Sequence, residues 1–271
     1  MKIAMIGAGN LATNLAPALA EAGHDIVQVY SRTMESAQRL ADIVGGVAGD
    51  AGGSSVTAVD KLSDVTRDAE LYVLALKDSA LGDVVAELCQ GREGAVFAHT
   101  AGSMPMDVFC GKAGRYGVIY PMQTFSKARR VDFAVIPIFV EASDEATLVT
   151  LENVARSVSD DVRRLDSEHR RYLHLAAVFA CNFANHCYAL AAEMVEQSGM
   201  TFDCMLPLID ETARKVHELS PCEAQTGPAV RYDRNVIGRQ SQMLDGNPMA
   251  QRIYNIMSES IHNKSKDNDK L

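Results

Sequence analysis

Tryptophan is absent from the 271 residues, and the aromatic residues together make up only 6% of them. A common stacking and interface anchor is therefore missing. Positive charge is also scarce: 26 lysines and arginines stand against 35 acidic residues, for a net charge of −9 and no basic cluster. That balance excludes a nucleic-acid surface and points to small-molecule partners. The six cysteines, Cys89, Cys110, Cys181, Cys187, Cys204 and Cys222, contain no C-x-x-C pair and have no clustered histidines beside them. No metal site is expected, and the thiols read as reduced and mostly structural, as in a cytoplasmic protein. No apolar run approaches a membrane span, so no membrane partner is expected. The opening Met1-Lys2 is not read as a secretory signal, because Gly7, Gly9, Asn10, Thr13 and Asn14 interrupt the run behind it. What is present is a hydrophobic fraction of 47%, sufficient for a sizeable core in two domains or one large one.

The chain is organised around its first residues, Lys2-Ile3-Ala4-Met5-Ile6-Gly7-Ala8-Gly9-Asn10-Leu11-Ala12, which read as a buried strand, a glycine turn and a helix. Gly7 suits the tight turn, Gly9 lets the backbone approach a pyrophosphate, and the small Ala12 lets the helix pack on the sheet. The free N–H groups around Asn10 and Leu11 then face the phosphates. Leu11, Leu15, Ala18, Leu19 and Ala22 recur at helical spacing up to Gly23, and Ile26–Tyr30 follows as a second strand. The bland alternative is a glycine turn without a ligand. At the end of the second strand, where NAD enzymes carry an acid, stand Ser31, Arg32 and Thr33. A guanidinium flanked by hydroxyls suits the 2′-phosphate of NADP, although Arg32 could be solvated and Ser31 or Thr33 a helix cap.

Further along, a helix is expected from Met34 to Val44, a glycine-rich loop over 49–55, and strands over 55–59, 71–76, 95–98, 116–120, 135–140 and 162–165. Helices are expected over 80–89 and 144–157. The strand ends at Leu76, Lys77 and Thr100 belong to the edge where open α/β sheets bind ligands. His99 stands there too, as a second proton donor or as a structural histidine. Gln123 and Thr124, in the loop after the strand ending at Tyr120, read as a pocket wall. From Ser167 the strands stop and helices begin, so the expected class is α/β, a Rossmann-type, mostly parallel sheet domain over 1–165 followed by an all-helical domain over 166–262 and a flexible tail over 263–271.

The first of those helices is expected to run from Ser167 to Gln197, with His174, Val178, Cys181 and Asn185 on one face and Asn182 about 80° round from His174. Such polar groups on an apolar face require protein partners or a ligand. Two more helices are expected over 202–219 and 229–244. Between them Thr226, Gly227 and Pro228 form a turn, from which Arg231 could clamp a substrate carboxylate or pair with Asp233.

With these motifs the chain resembles the Rossmann-like proteins that carry a helical C-terminal domain of unknown function 2520, in the superfamily of pyrroline-5-carboxylate reductase and the deazaflavin-dependent NADP reductases. The likeness rests on Gly7 to Ala12, Ser31-Arg32-Thr33, His99-Thr100-Ala101-Gly102, Tyr120 to Phe125, His174 to Val178 with Asn182, and Thr226-Gly227-Pro228 with Arg231 and Asp233. In one respect it departs: the group usually has histidine before the proline, and this chain has Tyr120. The resemblance implies an NADP-binding oxidoreductase that forms a homodimer through its helical domain. On this reading NADPH reduces a small carbonyl or imine, His174 is the first choice of proton donor and His99 the second. Asn182 orients the substrate, and Gln123, Thr124, Asn185, Thr226 and Arg231 complete the substrate contacts. A branched 2-oxo acid such as ketopantoate, a cyclic imine and a deazaflavin stay open as acceptors, as does an NADP-binding sensor without turnover.

Overall fold

The computed structural model describes residues 1–49 and 55–268, and the chain divides into two compact units, residues 1–182 and 183–271. The first unit is built on eight strands: β1 (Lys2–Ile6), β2 (Asp25–Tyr30), β3 (Thr57–Val59), β4 (Leu71–Leu74), β5 (Val96–His99), β6 (Arg115–Pro121), β7 (Ile138–Ala142) and β8 (Val162–Arg164). They form one sheet in the order β3-β2-β1-β4-β5-β6-β7-β8. All pairs from β3 to β6 are parallel, β7 runs antiparallel to β6, and β8 is parallel to β7. The order reverses direction between β1 and β4, so the carboxyl ends of these two strands flank the crevice in which such sheets bind ligands.

Successive side chains on a strand point to opposite faces, and both faces of this sheet are covered. Ile3, Met5, Leu71 and Val73 pack on one face with Leu15 and Leu19 of α1 (Asn10–Glu21), Leu40 of α2 (Met34–Gly49) and Leu151 of α4 (Glu145–Arg156). Ala4, Ile6, Tyr72 and Leu74 pack on the other with Leu81 and Val85 of α3 (Asp78–Leu88) and with Phe109. Burial on both faces explains why β1 and β4 read as continuous apolar runs rather than as alternating ones.

Several boundaries differ from the expected ones. Helix α2 continues through Gly45 and Gly46 to Gly49, because neither glycine adopts a positive φ and Val47 still packs on the core. Residues 50–54 of the expected loop lie outside the described residues. Strand β7 starts at Ile138, since Val135 is exposed and the Ile136 N–H closes a turn onto Phe133 O. Of the six free cysteines only Cys89 is in the core and the other five are exposed, so the expectation of structural thiols holds for that one alone.

The expected long helix is present but not uniform: α5 (Ser167–Ala177) passes through a π-helical stretch, Val178–Phe183, into α6 (Ala184–Gln197). The first compact unit includes α5 and most of the π stretch, so it extends past the expected boundary at 165 to Asn182. An 18-residue window within Ser167–Gln197 reaches a mean hydropathy of 1.3, and the run is long and apolar enough, by length and composition, to cross a membrane. That was not expected, because His174, Asn182, Asn185 and His186 break the run into shorter apolar segments. The second unit continues with α7 (Leu206–Lys215), α8 (Arg234–Gln242) and α9 (Pro248–Asn268). Helix α8 starts five residues later than expected, because the Asp233 carboxylate caps it by accepting from the Val236 N–H. The expected tail is helical up to Asn268, and residues 269–271 lie outside the described residues.

Candidate active site

The glycine turn is shaped as a dinucleotide loop requires. Gly7 has a φ of +114°, and a Cβ there would stand 2.3 Å from the Ala75 carbonyl oxygen and 3.1 Å from Leu76 Cδ2. Any other residue would separate β1 from the end of β4. At Gly9 a Cβ would meet nothing within 4 Å, so the backbone faces open space where a phosphate could approach. No side chain caps α1 and no acid stands in its first turn. The N–H groups of Asn10, Leu11 and Ala12 at this helix start suit an anion. Leu76 and Lys77 at the end of β4 and Thr100 after β5 border the same crevice, with Thr100 N–H bonded to Leu74 O. These residues fit the pyrophosphate end of a dinucleotide.

At the end of β2, the Ser31 N–H is bonded to Val59 O, and the Thr33 hydroxyl is bonded to Ser36 Oγ in the first turn of α2. Arg32 is exposed, and its guanidinium has no hydrogen bond or ion pair among the described residues. An unpaired cation at the strand end suits a 2′-phosphate. Thr33 is thus partly committed to its helix, while Arg32 is available.

Two asparagines tie the glycine loop to the next part of the site. Asn10 Nδ2 donates to Phe125 O at 3.1 Å. Asn14, one turn further along α1 and buried, donates to Asn10 O at 2.9 Å and to Ser126 O at 3.0 Å, and its Oδ1 accepts the Val131 N–H at 3.3 Å. The loop after β6 is thereby held on the first turns of α1. Gln123, Thr124 and Phe125 of that loop line a cavity of about 320 Å³ with Ser126, Arg129 and Val131. The same three residues also line a larger cavity of about 510 Å³, whose other walls include Tyr120, Met122, Leu173, His174, Cys181 and Asn182.

That larger cavity contains His174 and Asn182, as the sequence suggests, but Val178 and Asn185 are not among its lining residues. Cys181, on the same expected face, does line it; Val178 opens a π stretch whose wider turn changes the phase of the helix, so that spacing at 100° per residue holds less well from there on. Tyr120 Oη lies 3.1 Å from His174 Nδ1, with the rings edge to face at 6.1 Å. Burial raises the Tyr120 hydroxyl above its ordinary pKa, and the nearby Arg170 charge pulls it part of the way back.

His99 is in a different position. It is fully buried, stacks on Phe109, accepts the Ala101 N–H on Nδ1 and lies 3.3 Å from Pro105 O through Nε2. Burial, reinforced by the Arg170 charge, pushes its imidazole down to about 4. A neutral ring with both nitrogens occupied shapes the 100–105 turn and is not placed to donate a proton to a substrate.

The group that fixes His174 is one that residue spacing did not reveal. Arg170, one helical turn before it, is fully buried, pairs with the Glu141 carboxylate of β7 and donates to Met104 O at 2.6 Å. Ser167 joins the network by donating to Glu141 at 2.7 Å and accepting the Met106 N–H at 3.0 Å. These bonds anchor the start of α5 to the sheet and to the turn after β5. A buried arginine beside a β-strand glutamate is the signal that could have been sought, but the two lie 29 positions apart.

Asn185, Thr226 and Arg231 belong to the second unit. There Gly227 has a φ of +106° and Tyr232 one of +51°, in a turn that precedes α8. Arg231 is exposed and has no ion pair among the described residues, since Asp233 is occupied as the cap of α8. Tyr232 stacks on His262 of α9 at 4.1 Å, and the Arg234 guanidinium lies over its ring at 5.0 Å from the centroid.

Comparison with known proteins agrees with this architecture. Residues 2–98 match the family described as NADP oxidoreductase coenzyme F420-dependent, and residues 136–261 match the domain of unknown function 2520. The crystal structure of BF3122 from Bacteroides fragilis, described as a "putative NADP oxidoreductase", shares 53% identity over 97% of this chain and 98% of that one, with a TM-score of 0.90. Protein TM1727 from Thermotoga maritima is 20% identical over 97% and 99% of the two chains, with a TM-score of 0.76. An imine reductase from Streptomyces aurantiacus is 13% identical over the whole of both chains, with a TM-score of 0.67. At those lower identities the likeness is one of fold. No protein of curated function matches the chain in sequence.

Proposed function

The chain belongs to the family that joins an NADP oxidoreductase domain of the coenzyme F420-dependent type to the domain of unknown function 2520, and on that premise we propose that it transfers a hydride between NADPH and a small carbonyl or imine compound held against His174. The observation that carries this reading is the Asn10 to Phe125 O hydrogen bond. It sets one loop, residues 123–125, between the glycine turn and the His174 cavity, so a dinucleotide on α1 extends toward that cavity. Bound NADPH supplies the hydride. The chain itself must hold the acceptor, keep water out and stabilise the charge that develops on oxygen or nitrogen. His174 is the group that hydrogen-bonds to that atom and, as the imidazolium, gives it a proton and is left as the neutral ring; Asn182, Gln123 and Thr124 orient the remainder. Arg32 supports NADPH over NADH.

The acceptor is a compact, largely apolar molecule such as a cyclic imine. Tyr120, Met122, Phe125, Leu173, Ala176, Ala177 and Ala180 dominate the lining, and no Lys, Arg, Asp or Glu is among the lining residues of the larger cavity. A 2-oxo acid would need a cation that this lining does not supply. The exposed Tyr172 and Leu175 on α5 favour a second copy of the chain as their cover, which makes the protein a homodimer. Sedimentation without detergent reads this directly: a dimer supports it, and a monomer, or recovery only in a membrane or detergent fraction, overturns it.

The test of the reaction is NADPH oxidation by the purified chain across a panel of cyclic imines, 2-oxo acids and a deazaflavin, repeated with His174→Ala. Turnover of an imine that falls by at least about 100-fold in the variant supports the reading. Tight NADPH binding with no turnover of any acceptor would make the chain a nucleotide sensor, and turnover untouched by the substitution would remove His174 from the role.

A further inference from the structure

Three residues meet at one wall of the cavity, Tyr120 and Gly102 buried and His174 half-buried. Tyr120 Oη is 3.1 Å from His174 Nδ1, and Gly102 leaves open the space that both rings occupy. A Cβ on Gly102 would stand 2.6 Å from His174 Nδ1, 2.7 Å from its Cγ and 2.9 Å from Tyr120 Cζ. His99 and Thr100 hold the turn that carries Gly102, through Ala101 N–H, Pro105 O and Leu74 O. Arg170 fixes the helix that carries His174. Two separate anchors thus converge on one hydrogen bond.

We propose that Tyr120 is the positioning residue of this site: its hydroxyl donates to Nδ1 of His174 and holds the ring as the Nε2–H tautomer, with Nε2 left to the substrate. A neutral imidazole has one donor and one acceptor, and the partner of one nitrogen decides which form is present. A phenol has a single proton, and a buried hydroxyl needs an acceptor for it. Among the described residues, His174 Nδ1 is the only hydrogen-bond partner of Tyr120 Oη, and Nε2 has none. Burial keeps the phenol protonated well above neutrality. The consequence for specificity is direct: the cavity presents a hydrogen-bond donor, so the acceptor molecule must offer a lone pair, as a carbonyl oxygen or an imine nitrogen does, and a group that can only donate is excluded. This refinement rests on the reductase reading for its meaning, but its test does not require a substrate.

The test is nitrogen NMR of the full chain labelled with ¹⁵N-histidine, with the His174 signals assigned from His174→Gln and followed into alkaline solution until the neutral ring shows one protonated and one unprotonated nitrogen. In the wild type, Nδ1 should resonate as an unprotonated, hydrogen-bonded nitrogen and Nε2 as a protonated one. Tyr120→Phe, which removes only the hydroxyl, should move Nδ1 to the position of a free lone pair and let the Nδ1–H form appear. Gly102→Ala, which keeps the hydroxyl but wedges the pair apart, should reproduce that shift. A protonated Nδ1 in the wild type, or an Nδ1 signal unmoved by Tyr120→Phe, would overturn the proposal. Absence of turnover on every acceptor would defeat the reductase reading alone, and would leave these spectra as they are.

Discussion

Arg170 and Glu141 form a buried ion pair that joins the first turn of α5 to β7, one helical turn before His174. Removing one member of such a pair leaves the other charge without its counter-ion, at a cost of up to about 3–5 kcal/mol, and Glu141 would keep only the Ser167 N–H and hydroxyl. Arg170→Met should therefore lower the urea unfolding free energy by that order. The double variant Arg170→Met, Glu141→Met should recover part of the loss. An Arg170→Met protein as stable as the wild type would show that the pair does not hold the helix.

Nucleotide preference should follow Arg32. Charge-assisted hydrogen bonds to a phosphate contribute about 1.5–3 kcal/mol, so Arg32→Asp should weaken NADPH binding by roughly 10- to 100-fold and leave NADH binding unchanged or improved. Fluorescence titration with each nucleotide measures both. Equal affinity of the variant for NADPH would place the 2′-phosphate elsewhere.

Asn14 should act on the site without touching a ligand. Its side chain makes three hydrogen bonds between α1 and the loop after β6. Asn14→Leu leaves their partners unsatisfied, each at about 1–3 kcal/mol where buried. Hydrogen exchange at Val131 and its neighbours should quicken, while β1 and β4 keep their protection. Uniform loss of protection over the sheet would instead mean that the fold, rather than the loop, depends on Asn14.

Stability should fall with pH because of His99. Its folded pKa, about 4, lies below the ordinary 6.5, so between these values the unfolded chain binds a proton that the folded chain refuses. The contribution of the neutral ring is complete above about pH 7 and is lost as pH drops through that window. By pH 5 the loss amounts to roughly 2 kcal/mol. Urea midpoints at pH 7.5 and pH 5 measure it, and in His99→Asn, which does not titrate, the difference between the two pH values should shrink by that amount. An unchanged difference would assign the pH dependence to other groups.

Much of the fold was readable in the residue order because the signals are local. The run from Lys2 to Ala12 dictates strand, turn and helix through the geometry of Gly7 and the spacing of leucines, and the apolar segment ending at Leu76 is what a strand buried on both faces must look like. Helix ends were less legible where a cap decided them. Asp233 starts α8 by accepting an N–H three residues on, while Pro228 only suggests a start. On the long helix Cys181 lines the cavity as its spacing suggests while Val178 and Asn185 do not, since the π stretch alters the periodicity on which the reading depends.

By itself, the sequence determined the α/β class, the glycine loop, the unpaired cation after β2 and the presence of His174 and Asn182 on one helical stretch. Tertiary structure alone decided how these become a site. Only the folded chain shows Asn10 and Asn14 fastening a loop 112 to 117 positions away, Arg170 reaching Glu141, and Gly102 making room for Tyr120 against His174. The physical reason is that turns and helices are set by neighbours within a few residues. Burial, tautomer and pKa are set by whatever the topology brings within hydrogen-bond distance, and no spacing in the chain records that.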